Sequence, residues 1–187
     1  MDPNKPIPEP WQSFLAEIDS SLDSEVAFHC FGGFAIDYLF GLPRATADVD
    51  VMSGVVGSHY QELLSLAGKG SPLHENHGVY LDLVGTVAVV PDDYESRLSE
   101  ISTSFTYLKL FVMDPHDIVL SKVSRDAPQD RADVTYLAKA ANLNVNLLRL
   151  RYGVELRPYI IGRTSYVDQT MALWTEMIEE LQNDGKN

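Results

Sequence analysis

Trp11, Phe14, Leu15, Ile18 and Leu22 recur at helical spacing and predict a first amphipathic helix that ends before Asp23. Upstream, prolines at positions 3, 6, 8 and 10 exclude regular helix, so residues 1–9 are expected to form an extended tail. The apolar run VAFHCF at 26–31 reads as a strand; Gly32-Gly33 stops it, and FAIDYLF follows with the length and composition of a short buried helix. Gly41 and Pro43 break that helix. The stretch DVDVMSG then alternates acid and apolar residues, which predicts a strand with Asp48 and Asp50 on one face.

Residues 58–67 read as helical, and a Gly-rich, His-containing loop is expected after them. VYLDLVGTVAVV is a strand candidate, bent or broken near Gly85, with Asp82 between Leu81 and Leu83. PDDYESRLSE suggests a surface turn and short helix, and FTYLKLFVM a further strand. Beyond Met113 the period changes. Asp114-Pro115 has the form of an N-cap followed by proline at the first helical position, and helices are predicted over 115–124, 128–141, 144–153 and 165–182.

These elements imply an α/β (α+β) fold with a mixed sheet flanked by helices. The expected organisation is a tail at 1–9, a core at 10–113 and a helical region at 114–187. Leu173, Trp174, Met177, Ile178 and Leu181 share a helical face that packs the last helix or meets a partner subunit, so a protein partner or homodimer stays open.

Composition narrows the function. Of 187 residues, 45% are apolar and 22% charged, enough to bury a core. Fourteen basic against 27 acidic side chains give a formal charge of −13, which repels polyanions and argues against duplex DNA as a partner. Arg149, Arg151, Arg157 and Arg163 form the one basic concentration and read as a partly solvated helix face. The single cysteine, Cys30, lies in an apolar run and is expected to be a buried, inert thiol. No basic and apolar leader and no membrane-length apolar stretch is present, so the expected location is cytoplasmic, without a membrane.

The chemistry centres on the acids. Two carboxylates one residue apart on a strand project side by side, and such hard oxygen ligands suit Mg²⁺, which prefers carboxylates together with phosphates and water. Their neighbours Val49 and Val51 are apolar, and keeping adjacent carboxylates ionised on a half-buried strand requires a cation or hydrogen-bond donors. Asp82, inside a second apolar strand, has the same requirement. Gly32-Gly33 at a strand-to-helix junction allows backbone N–H groups to approach a phosphate at a helix N-terminus.

The segment GGFAIDYLFGLPRATADVDV resembles the signature of the DNA polymerase beta-like nucleotidyltransferase superfamily, in which a Gly-Gly or Gly-Ser turn precedes an acid-x-acid strand. Antibiotic nucleotidyltransferases share a GGxAID start and an arginine at the place of Arg44. AbiEii-type toxins share the pattern matched by Arg44, Thr46, Asp48 and Asp50. Lys122, Arg125, Asp130 and Asp133 match a further segment of toxin-like and uncharacterised small bacterial nucleotidyltransferases, some with a tail similar to RYGVELRPYI.

The resemblance implies a nucleotidyltransferase-type core and transfer of a nucleoside monophosphate from an NTP to a hydroxyl on RNA, protein or a small molecule. It implies Mg²⁺ at Asp48, Asp50 and Asp82, with two ions a further option. The nucleotide would be held by Gly32, Gly33, Arg44, Thr46 and Lys122. A toxin of a toxin–antitoxin pair, an antibiotic-modifying enzyme and a nucleotide-binding module without turnover are the branches it leaves open. Position 33 is Gly where many active transferases carry Ser. His74 and His77 are read as loop residues rather than a zinc site, and His29 as a core histidine.

Overall fold

The computed structural model describes residues 5–52, 58–84 and 89–184. They fall into two compact units, one holding the described residues up to 84 together with 98–113, the other holding 89–97 and 114–184.

The first unit is built on a five-stranded mixed sheet. Its strands are β1 (Val26–Phe31), β2 (Asp48–Met52), β3 (Tyr80–Leu83), β4 (Ser99–Ile101) and β5 (Leu108–Val112), in the order β3-β2-β1-β5-β4. β1 lies antiparallel to β2 and parallel to β5, β2 is parallel to β3, and β4 is antiparallel to β5. Around it run the helices α1 (Trp11–Ser20), α2 (Gly32–Phe40), α3 (Ser58–Ala67) and α4 (Pro72–His77). The mixed sheet, the flanking helices and the helical C-terminal region are those the residue pattern implies.

Alternation gives the sheet two unlike faces. Phe28, Cys30, Val49, Val51, Leu81, Leu108, Leu110 and Val112 are almost fully buried on one of them. The register sets Tyr80 beside Asp48, Asp82 beside Asp50, Asp50 opposite Phe31, and His29 between Met52 and Phe111 on the other. Apart from Phe31, that second face is half-buried or exposed, so it is where polar chemistry can reach solvent.

Several local expectations change. The loop expected after α3 contains α4: Ser71 caps it by accepting the His74 N–H, Pro72 sits in its first turn, and Gly78 ends it in the left-handed conformation at φ +72°. β4 was not predicted, because Ser99-Glu100-Ile101 has no apolar alternation and exists by pairing with β5. β3 is shorter than the run of residues 79–90, and the bend expected at Gly85 lies outside the described residues. The segment before α1 is not merely a tail. Ile7 is buried, the Lys5 ammonium donates to the Tyr38 carbonyl at 2.7 Å, and the Tyr38 hydroxyl donates back to the Lys5 carbonyl.

The second unit is mainly helical, with α5 (Pro115–Lys122), α6 (Pro128–Ala140), α7 (Val145–Arg151) and α8 (Thr164–Asp184). Asp114 caps α5 by accepting the His116 N–H, as the Asp-Pro signal implies. After α7 the chain continues as a π-helical turn over Tyr152–Leu156 and a 3₁₀ turn over Arg157–Tyr159. Of the arginines expected on a partly solvated face, Arg149, Arg157 and Arg163 are exposed and Arg151 is not. Arg151 is buried and donates to Asp114 and Asp117, Arg149 pairs with Glu179, and Arg157 grips Asp168 through two nitrogens. Among the described residues no helix is long and apolar enough to cross a membrane.

Candidate functional site

The site grows from the turn between β1 and α2. Phe31 is extended and has no side-chain oxygen with which to cap the helix, and Gly32 turns the chain at φ +64°, a conformation that a Cβ disfavours. A Cβ at Gly32 would also collide with the Asp50 carboxylate, whose Cγ lies 2.6 Å from that position. The backbone and the acid therefore approach more closely than any other residue at 32 would allow.

The next residue repeats the constraint. A Cβ at Gly33 would stand 2.6 Å from Thr46 Oγ1 and 3.4 Å from a terminal nitrogen of Arg44. Arg44 and Thr46, on the approach to β2, thus flank the first turn of α2. The Thr46 hydroxyl donates to Asp48 Oδ1 at 2.7 Å and fixes the orientation of that carboxylate. Arg44 also donates to the Ala45 carbonyl at 3.3 Å.

Asp48 and Asp50 project from the same face of β2, both half-buried, with Val49 and Val51 packed on the other. Asp82 stands next to Asp50 in the parallel β2–β3 register and is exposed. The combined field of these groups reaches their neighbours. Burial pushes the Tyr80 phenol up, and Asp48, Asp82 and Asp50 push it further; burial and then Asp50 raise the thiol of Cys30, which is buried as expected.

The donor set consists of carboxylate oxygens, which is the chemistry a hard divalent cation takes. Among the described residues no three His, Cys, Asp or Glu side chains are gathered closely enough to cage an ion as they stand. The fit to Mg²⁺ thus lies in the kind of donor and the shared face. Nucleotide phosphates and water would have to complete any coordination sphere.

Seven of the eight residues singled out by sequence, Gly32, Gly33, Arg44, Thr46, Asp48, Asp50 and Asp82, lie on this turn, on the approach to β2, and on β2 and β3. Lys122 belongs to the helical unit. It is 4% exposed, and its ammonium lies 3.0 Å from Asp133 Oδ2 and 3.4 Å from Asp130 Oδ1. Arg125 adds two hydrogen bonds to Asp130, which also accepts the Ala127 N–H at the start of α6. The matched residues Lys122, Arg125, Asp130 and Asp133 therefore form one ion cluster joining α5 to α6.

Tyr80 and Lys69 stand at the acid corner and were not singled out by sequence. Tyr80 shares the face of Asp48, half-exposed, with the Lys69 ammonium 5.5 Å over its ring and the His74 ring edge-on at 5.1 Å. Its signal is the alternation of VYLDLV, which sets Tyr80 two residues before Asp82 on the same face although it carries no charge of its own. His77 does not join this group; it bonds to Glu17 at 2.9 Å.

Comparison with curated proteins and with solved structures gives no match. A family model described as "Nucleotidyltransferase of unknown function (DUF6036)" matches residues 12–182, nearly the whole chain, and the protein belongs to that family.

Proposed function

We propose that the protein is a Mg²⁺-dependent nucleotidyltransferase that moves a nucleoside monophosphate from an NTP to a hydroxyl acceptor. The observation that carries this reading is the shared face of Asp48, Asp50 and Asp82, closed on one side by a Gly32-Gly33 backbone that Asp50 touches where a side chain would otherwise be. The family match supplies the class of reaction but neither its acceptor nor its metal.

In this reading Asp48 and Asp50 hold the metal and Asp82 either adds to that site or accepts the proton of the attacking hydroxyl. Thr46 keeps Asp48 oriented. Arg44 offers a planar, permanently charged fork to a phosphate beside Gly33, and the N-terminus of α2 adds a favourable dipole for the same negative charge. Bound Mg²⁺ would neutralise phosphate charge and so favour displacement at the α-phosphate with release of pyrophosphate. Lys122 is left out of this assignment, because two buried carboxylates already use its charge.

The test is transfer of label from an α-labelled NTP, or pyrophosphate release, with each of the four NTPs in the presence of Mg²⁺. Activity is expected in the wild type, with loss of at least about 100-fold in Asp48→Ala and in Asp50→Ala. Turnover that survives both substitutions would overturn the reading. NTP binding without turnover would favour a nucleotide-sensing module. Growth arrest on expression, or raised drug tolerance, would separate a toxin-like acceptor from an antibiotic one.

A further inference from the structure

Tyr80 is unusual among the residues of the open sheet face, since it presents a half-exposed aromatic ring among three carboxylates. Its place is set by pairing: Tyr80 lies beside Asp48 in the same register that sets Asp82 beside Asp50. Its orientation is set by α4 and by the turn before it. His74 meets the ring edge-on at 5.1 Å, and that imidazole is itself fixed, because its Nδ1 accepts the Gly70 N–H at 2.9 Å and its backbone N–H donates to Ser71. Lys69, exposed in the same turn, holds its ammonium 5.5 Å from the ring centroid, within cation–π range.

The ring is therefore held before any ligand arrives, which reduces the entropy lost on binding. An aromatic plane also suits a particular part of a nucleotide. The carboxylates beside it repel a bare phosphate, whereas a nucleobase is uncharged and stacks on an aromatic face whatever its identity. We propose that Tyr80 is the platform on which the nucleobase of the incoming NTP stacks, next to the carboxylates that serve its phosphates. This rests on the reading of the site as nucleotide-binding, and it assigns the edge strand β3 to recognition of the base as well as to the third acid.

The experiment compares two probes, NTP and inorganic tripolyphosphate, each with Mg²⁺, by calorimetry on the full chain. Tripolyphosphate has the three linked phosphates of the nucleotide's tail and no base. Tyr80→Leu is expected to weaken NTP binding by about tenfold and to leave tripolyphosphate unchanged, while Tyr80→Phe keeps wild-type affinity for both. A second measurement needs no variant. Ultraviolet irradiation with 8-azidoadenosine and 5-azidouridine triphosphates should label the wild-type peptide that contains Tyr80.

Equal weakening toward both probes would overturn the proposal, because the ring would then act only through the carboxylates. Unchanged NTP affinity in Tyr80→Leu, loss in Tyr80→Phe equal to that in Tyr80→Leu, or photolabel confined to other peptides would do the same. A wild type that binds tripolyphosphate and NTP equally well would reject a base site while sparing the reading of a phosphate and metal site. Failure of the wild type to bind either probe would remove the underlying reading and this inference together.

Discussion

The carboxylate of Asp50 occupies the place where residue 32 would carry its Cβ. Asp50 Cγ lies 2.6 Å and its Cβ 3.0 Å from that position, and Gly32 is at φ +64°. Two separate constraints thus select glycine. A left-handed backbone costs a substituted residue about 1 kcal/mol, and the collision with Asp50 adds about 1–3 kcal/mol. Gly32→Ala should lower stability to urea by about 2–4 kcal/mol in the wild type and by only about 1 kcal/mol in an Asp50→Ala background. An equal loss in both backgrounds would show that Asp50 is not the obstacle.

Gly33 stands in the same relation to Thr46, and this accounts for glycine where many resembling transferases carry serine. A Cβ there would come within 2.6 Å of the Thr46 hydroxyl and 3.1 Å of its Cβ. Helix propensity alone favours serine over glycine by a few tenths of a kcal/mol. The structure reverses that sign. Gly33→Ser is expected to destabilise by about 1–2 kcal/mol, and adding Thr46→Ala should recover most of the loss. Thermal melting of the two variants checks this; a stabilised Gly33→Ser would show that Thr46 moves aside freely.

Elements with strong local periodicity are legible in the sequence, whereas those that depend on pairing or capping are not. β1 and the start of β2 were legible because VAFHCF and DVDV alternate or run apolar between glycine breaks. α4 is obscured because Pro72 and Gly78 have the look of helix breakers in the sequence, whereas in the fold they act as the first-turn and end residues of a short helix. The neighbouring positions of Asp50 and Asp82, 32 residues apart in the chain, follow from strand register, which periodicity does not contain. The engagement of Lys122 and Arg151 by carboxylates was likewise hidden, since a cation destined for a buried pair looks the same in sequence as one on a solvated face.

The Lys122 cluster predicts an effect on folding. Lys122, Asp130 and Asp133 have side chains that are 5%, 0% and 1% exposed, so removing the ammonium leaves buried negative charge with less compensation. Lys122→Met should reduce stability by about 3 kcal/mol, and Asp133→Asn in that background should restore part of it. Affinity for NTP, measured at a temperature where the variant is folded, should stay at the wild-type value. Normal stability combined with lost NTP binding would instead restore a phosphate role for Lys122.

Acid should weaken the helical unit through Asp114 and Asp130. Burial pushes both carboxyls up. For Asp114 this is outweighed by hydrogen bonds from His116 and Arg151, and for Asp130 by the Arg125 guanidinium, the Ala127 N–H and Lys122, so both lie below the ordinary carboxylate range. The unfolded chain therefore takes up these protons at higher pH than the folded one. Their stabilisation is complete above the unfolded value near about 4 and is lost as pH falls through the lowered folded values. Asp114→Asn removes one of these groups: it should be less stable than wild type at pH 7, and the difference should shrink steadily below about pH 4. Urea denaturation from pH 7 to about pH 2.5 tests this, and curves that remain parallel across the range would exclude Asp114 as a source of the acid sensitivity.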